Sequence, residues 1–457
     1  MATTLAVKKK TKSSKPLKKV KKEAKAKPSS AAPAQDELEL ASSILLNSVL
    51  ESAREEYNDN LIAAAGDLDV LSIGIKIPFV MQYILQNNSL PLGRIFELVG
   101  EEKSNKSTLA FEIGRWFFGQ VGQVYIFENE TKFSEDMAMA VMGHPDEVGR
   151  PPFVHFDCGT QEDWQAKITT TLKDIKQKML SGATVKIGNK VKKYKPLGRT
   201  IPILFILDSL AGAVAEENVK KINQRGFSGR NHPAEALSNT SYFKKFRADL
   251  VKWPVSLLIV NHLRKQKAEN GPHIERKTPG GKHVAFQQSL QLELTKTKAL
   301  SYVDTRKDAV SLAVKGNRIK IQCRRSSIGE DLRSANVDLI WWYEKKNGKI
   351  RQYTKWQWDA AIVDLLMDQD GGAKERIREV VDIRQIKNKF WSKKLKVSKE
   401  KPLTKAEIGA KIEKNEAIIA KLSDLFAIKQ RIIMHRGDDY KKLLRDSSKE
   451  AKKKLEE

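Results

Sequence analysis

The sequence predicts an α/β fold with a mostly parallel central sheet, a helical N-terminal element before it and a helical C-terminal region after it. Three observations carry this. Residues 92–100, 201–208 and 255–262 are nearly unbroken apolar runs, the pattern of strands buried on both faces. The first run enters a glycine-led loop and a helix start, and the other two end abruptly in polar residues. From about residue 358 the chain turns helical and charged. Four segments follow from these changes: 1–35, 36–90, 91–345 and 346–457.

Residues 1–35 contain Lys8-Lys9-Lys10 and Lys18-Lys19-Val20-Lys21-Lys22 with almost no large apolar side chain, so they read as a disordered basic tail. Such a tail grips a polyanion, serves as an address or simply solubilises the chain. Residues 36–90 are expected to hold two helices, at 36–57 and 79–86. The first has one apolar face.

The core, 91–345, opens with the most informative stretch. Its strand runs into Gly100-Glu101-Glu102-Lys103-Ser104-Asn105-Lys106-Ser107-Thr108. A phosphate-binding loop reads Gly, four residues, then Gly-Lys-Ser/Thr, so Asn105 stands where the second glycine belongs. Glycine there permits positive φ and close approach of backbone N–H groups to phosphate. Asparagine tolerates the left-handed region better than most residues with a Cβ. A working nucleotide cradle is therefore expected, with altered affinity or rate. Lys106 would reach the outer phosphates, Ser107 would hold Mg²⁺, and the helix N-terminus would face the phosphates. A basic loop capping an ordinary helix is the plainer alternative.

Other strands end in groups that suit such a site. Residues 123–130 end in Glu128 and Glu130, and Glu130 is placed to orient a water for attack on a γ-phosphate. Residues 201–208 end in Asp208, a candidate Mg²⁺ acid, because ligands of open α/β sheets sit outside the carboxyl ends of strands. Residues 255–262 end in Asn261 and His262; His262 either senses the phosphate or caps a strand.

Two basic, glycine-containing stretches lie near these ends. One, 219–233, carries Lys220, Lys221, Arg225, Phe227 and Arg230; the other, 264–278, carries Arg264, Lys265, Lys267, Arg276 and Lys277 and runs on to Gly280 and Gly281. Their cations suit a nucleic-acid backbone, and Phe227 offers a face for stacking. Solvated surface loops would look the same residue by residue.

Leu90-Pro91-Leu92-Gly93-Arg94-Ile95-Phe96-Glu97-Leu98-Val99-Gly100, the loop, Glu128-Asn129-Glu130, Leu207-Asp208-Ser209, Asn261-His262 and Thr278-Pro279-Gly280-Gly281-Lys282 occur in that order. The series resembles the bacterial RecA and phage UvsX strand-exchange recombinases. The resemblance implies a RecA-like P-loop ATPase core with ATP and Mg²⁺ as cofactors. Lys106 and Ser107 then match the phosphate and metal residues, Asp208 the metal acid, Glu130 the catalytic glutamate and His262 the position coupling ATP to DNA. The two basic stretches match the DNA-binding loops. Residues 315–325 and 335–342 resemble the paired strands that close the family's core, and the 36–57 helix would pack on a neighbouring subunit or on its own core.

Departures from the family pattern bear on rate. Besides Asn105, Met137 lies where an aromatic often stacks on adenine, and Ala285 where some members place a lysine. Lys282, Phe286, Arg324 and Arg325 are the candidates for contacts to the next subunit. The bacterial members' acidic tail is absent or reversed in sign, so the autoinhibition it supplies is not expected.

Composition fits a polyanion-binding protein. The 457 residues carry a net charge of +27, with a pI near 9.7. Two cysteines, far apart, argue against a disulfide framework or a cysteine zinc site, and seven scattered histidines offer no metal pair. With no secretory h-region and no membrane-length apolar run, a soluble cytoplasmic, DNA-associated protein is expected, in the host cytoplasm if phage-encoded. In the C-terminal region, Thr404 and Glu407 have capping-box spacing at the head of an amphipathic helix expected at 404–427. Of Trp341, Trp342, Trp356, Trp358 and Trp391, core positions are preferred over a partner surface.

The expected function is an ATP-dependent recombinase that forms a helical homo-oligomeric filament on single-stranded DNA and exchanges strands with duplex DNA, with the phage type preferred. A hexameric RecA-fold helicase and a non-hydrolysing DNA-binding filament or scaffold are the alternatives.

Overall fold

The computed structural model describes residues 73–433 except 121, 131–132, 182, 188–189, 195–200, 211, 213–233, 268–273, 280–286, 305, 307–308, 311–312 and 330–331. These residues belong to one compact unit. The expected basic tail, the 36–57 helix and residues 434–457 lie outside them.

In chain order the first elements are β1 (Ile73–Lys76), α1 (Phe79–Leu85), β2 (Ser89–Pro91), β3 (Ile95–Gly100), α2 (Lys106–Gly119) and β4 (Gln123–Glu128). Next come α3 (Glu135–Met142), α4 (Pro145–Val148), β5 (Val154–Asp157), α5 (Gln161–Ser181), β6 (Ala183–Ile187), β7 (Lys190–Tyr194) and β8 (Ile203–Asp208). The chain continues through α6 (Ala234–Lys252), β9 (Val255–His262), β10 (Arg264–Lys267), β11 (Ile274–Lys277), β12 (Leu290–Val303), β13 (Ala313–Ser326), β14 (Ser334–Lys346) and β15 (Lys349–Trp356). It closes with α7 (Trp358–Met367), α8 (Gly371–Val380), β16 (Arg384–Ile386), β17 (Lys389–Trp391), α9 (Lys405–Glu413), α10 (Glu416–Leu425) and β18 (Ile432–Ile433).

Nine strands form one sheet in the order β15-β14-β13-β12-β3-β9-β8-β4-β5. From β12 to β5 every neighbouring pair is parallel, and β12 to β15 are antiparallel. The apolar runs form its centre because both faces are covered. Leu204, Ile206, Leu258 and Val260 pack with Leu109, Ile113 and Phe117 of α2 on one face. Ile203, Phe205, Leu207, Leu257 and Ile259 pack with Trp164, Ile168, Phe243 and Leu250 of α5 and α6 on the other. Alternating side chains thus feed two helical layers, which leaves no wet face and explains the absence of polar alternation.

The sheet continues past the expected core boundary at 345. β15 pairs with β14 from Leu339↔Trp356 to Lys346↔Lys349, and its mixed charged and aromatic residues suit a half-covered edge rather than a buried strand. The C-terminal region is therefore not purely helical. The helix expected at 404–427 is two helices, split at Lys414-Asn415, where the Asn415 side chain accepts from the Ile418 N–H and starts α10. The Thr404–Glu407 capping box is present. Trp356 and Trp358 are buried core residues, whereas Trp341, Trp342 and Trp391 are only partly buried.

The 36–90 segment is helical at Phe79–Leu85 but also supplies β1 and β2. These join β18 in a small sheet, with β1 parallel to β18. Buried Asn87 accepts from Arg431 Nε at 2.7 Å, and Asn88 donates to the Arg431 carbonyl at 2.9 Å, tying the two ends of the described chain together.

Glu413 joins the same regions: its carboxylate accepts from the Phe79 N–H at 3.1 Å. Burial pushes its pKa up to about 7; the Phe79 N–H and Lys76 oppose this and Asp359 adds to it. The folded pKa lies above the unfolded one, so the folded state binds this proton more tightly. Stability should fall as pH rises from about 4.5 to about 7 and level off above. Glu413→Gln keeps an acceptor without the charge. It should stabilise the protein at pH 8 by something on the order of 2 kcal/mol and change little at pH 4. Thermal melts of both proteins across that range check this; parallel pH curves would contradict it.

Candidate nucleotide site

Parallel strands bring their carboxyl ends to one edge of the sheet. In register, Glu128 pairs with Asp208, Asp208 with Val260, and Gly100 with His262. Residues far apart in sequence therefore stand in one row.

The loop after β3 is compact. A Cβ at Gly100 would lie 2.5 Å from both the Leu294 carbonyl and Ser104 Oγ, so only glycine fits. Lys103 and Asn105 take positive φ, +60° and +66°. Asn105 precedes α2 in the left-handed conformation and its side chain does not cap the helix. Its Oδ1 instead accepts from Nδ2 of Asn317 on β13 at 2.9 Å. The left-handed conformation costs a residue with a Cβ about 1 kcal/mol, and a hydrogen bond returns about the same.

Lys106 is only 6% exposed, and its Nζ donates to the carbonyls of Glu101 at 2.9 Å and Gly100 at 3.2 Å. Burial lowers its pKa, while Asp208, Glu130 and Glu102 pull the other way. The Ser104 and Thr108 hydroxyls are buried without a hydrogen-bond partner among the described residues. The first N–H groups of any helix, here those of α2, have no intrahelical acceptor. The loop thus collects donors and is short of acceptors, a deficit that an anion satisfies.

The facing wall is acidic. Desolvation raises the pKa of Asp208 to about 6, with the neighbouring Ser107 hydroxyl and Lys106 opposing and Glu130 and Glu128 adding. Glu130 Oε1 accepts from Ser209 Oγ and lies 3.2 Å from His262 Nε2. The Glu130 N–H donates to Glu128 at 2.7 Å, and Asn129 Oδ1 accepts from the Ser209 N–H at 3.0 Å. These bonds aim the Glu130 carboxylate.

Loop and wall line one cavity of about 400 Å³. Of the residues nominated from sequence, Glu102 through Thr108, Glu130, Met137, Asp208 and His262 all border it. Gly100 and Glu101 are not in its lining and serve through their carbonyls. Phe111, Phe133 and Ser134 also border it and were not nominated. Phe133 is stacked on His155 at 4.1 Å between ring centres and meets Phe111 edge-on. An aromatic cluster thus stands beside Met137, and no fixed spacing from the loop announces it.

Behind the cavity, buried Glu97 in β3 accepts from Asn261 Nδ2 at 2.8 Å and from Gln291 Nε2 at 2.6 Å. Burial raises its pKa. Asn261 also donates to the Pro279 carbonyl at 2.9 Å, and its Oδ1 accepts from the His262 N–H. The strand carrying the loop is thereby tied to the end of β9 and to the residue preceding Gly280.

Within the stretch expected as a second loop, Arg264–Lys267 and Ile274–Lys277 pair as an antiparallel ribbon, β10 with β11, in register Arg264↔Lys277 to Lys267↔Ile274. Alternating polar residues that pair across two strands satisfy their own backbone groups. Arg264, Lys265, Lys267, Arg276 and Lys277 all fall on this ribbon. Lys220, Lys221, Arg225, Phe227, Arg230, Gly280, Gly281, Lys282, Ala285 and Phe286 lie outside the described residues. Arg324 pairs with Glu293 at 3.4 Å and Arg325 is exposed; neither borders the cavity.

No protein-family model matches the sequence, and no curated protein matches it. Among the described residues no helix is long and apolar enough to cross a membrane, and no cluster of three or more His, Cys, Asp or Glu could hold a metal ion.

Proposed function

We propose that this protein is an ATP-dependent DNA recombinase with a RecA-like P-loop core, assembling as a filament on single-stranded DNA and exchanging strands with a homologous duplex. One observation carries the nucleotide part of this reading: a donor-rich loop and a carboxylate wall, from four strands, border one cavity at the carboxyl edge of the sheet.

The chemistry follows from the residues. Lys106 and the α2 N-terminus bind and orient the phosphates and offset their charge. Ser107 and Asp208 would hold Mg²⁺ with the oxygen donors it prefers. When bound, Mg²⁺ would neutralise charge between the outer phosphates. Glu130 orients a water and takes its proton. His262 contacts Glu130 and ends the strand that leads into the β10–β11 ribbon, so a change at the γ-phosphate has a short covalent path to a basic segment. Asp208→Asn should weaken the Mg²⁺ dependence of nucleotide binding by about tenfold or more; equal Mg²⁺ titrations of the two proteins would contradict this role.

DNA binding rests on the basic stretches, the +27 charge and the sequence resemblance. Microscopy of the protein on single-stranded DNA tests assembly: open helical filaments support a recombinase and closed rings a helicase. A homologous pairing assay on those filaments then tests strand exchange, and filaments without ATP turnover would point to a scaffold.

A further inference from the structure

We infer that Asn317 is a positioning residue for the phosphate loop, holding Asn105 in the left-handed conformation that the cradle needs. This rests on the nucleotide-binding reading above. An asparagine at a helix N-cap normally has extended backbone angles and turns its side chain onto the first N–H groups. Asn105 does neither: φ is +66°, ψ is +32°, and the side chain makes no capping bond. The helix N–H groups are left for a ligand, and the side chain is engaged elsewhere.

That engagement comes from outside the loop. Asn317 is 6% exposed and sits in the middle of β13, paired with Ala299 on β12 and Leu339 on β14. Its backbone position is fixed by the sheet on both sides. Its Nδ2 reaches Asn105 Oδ1 at 2.9 Å. A rigid strand thus clamps the loop position at which this chain carries asparagine in place of the motif glycine. Asn317 does not border the cavity, so its effect on a nucleotide passes through Asn105.

A double-mutant cycle on the full-length protein tests this, with MgADP as the titrant in calorimetry. Asn317→Ala should weaken MgADP binding about tenfold. Asn317→Leu, which keeps the branched shape while removing the amide, should do the same and covers the case in which the alanine variant folds poorly. In an Asn105→Gly background either change at 317 should alter binding by less than about twofold, because glycine needs no clamp. Wild-type affinity in Asn317→Leu would overturn the inference. So would a loss of equal size in the glycine background, which would make Asn317 act independently of the loop. If the wild-type protein and Lys106→Ala both fail to bind MgADP, the nucleotide reading itself falls and takes the inference with it.

Discussion

Lys106→Ala is expected to lower ATP turnover by at least about a hundredfold and to weaken MgATP binding. A buried cation aimed at developing charge contributes roughly that much in a site shielded from water. In the protein, Nζ is held by two loop carbonyls; burial lowers its pKa, and the charges of Asp208 and Glu130 oppose that lowering. A phosphate group would replace the carbonyls as its partner at little cost in rearrangement. Lys106→Arg should not restore turnover, since the larger planar head lacks room in a loop this tight. Steady-state hydrolysis and nucleotide titration, with melting curves for both variants, check the expectation. Turnover unchanged in a folded Lys106→Ala protein would remove the phosphate role.

Glu130→Gln should act differently. It is expected to lower kcat by about a hundredfold or more while leaving MgATP affinity within about threefold, the mark of a lost general base. Glutamine keeps an acceptor for Ser209 and His262, which both address Oε1, so the geometry survives while the basicity does not. A single-turnover measurement separates the outcomes. A raised KM with unchanged kcat would show that Glu130 binds ligand rather than activating water.

Much of this arrangement was legible in the sequence, for a physical reason. A strand buried on both faces has to be apolar along its length, so β3, β8 and β9 announce themselves, and a carboxylate at the end of such a strand stands out. Parallel pairing then puts the ends of those strands on one edge, and the nominated Lys106, Glu130, Asp208 and His262 come together without further information. Contacts made across the sheet were not legible. Asn317 is 212 residues from Asn105, and nothing local in Gly316-Asn317-Arg318 marks it as a loop partner. Phe133 was missed because its place by the cavity depends on the packing of Phe111 and His155. β15 does not announce itself as part of the core sheet, because its charged, half-exposed residues lack the apolar signal of the strands beside it. The break at Lys414-Asn415 carries no glycine or proline to announce it; only the six-residue step from buried Ile412 to buried Ile418, out of helical phase, marks it.

The most direct test of the central claim is ATP hydrolysis with and without single-stranded DNA, at one fixed moderate salt concentration, beside Lys106→Ala. The account predicts turnover that DNA stimulates and that the substitution abolishes. DNA binding with no turnover in the wild-type protein, or turnover indifferent to Lys106, would contradict it.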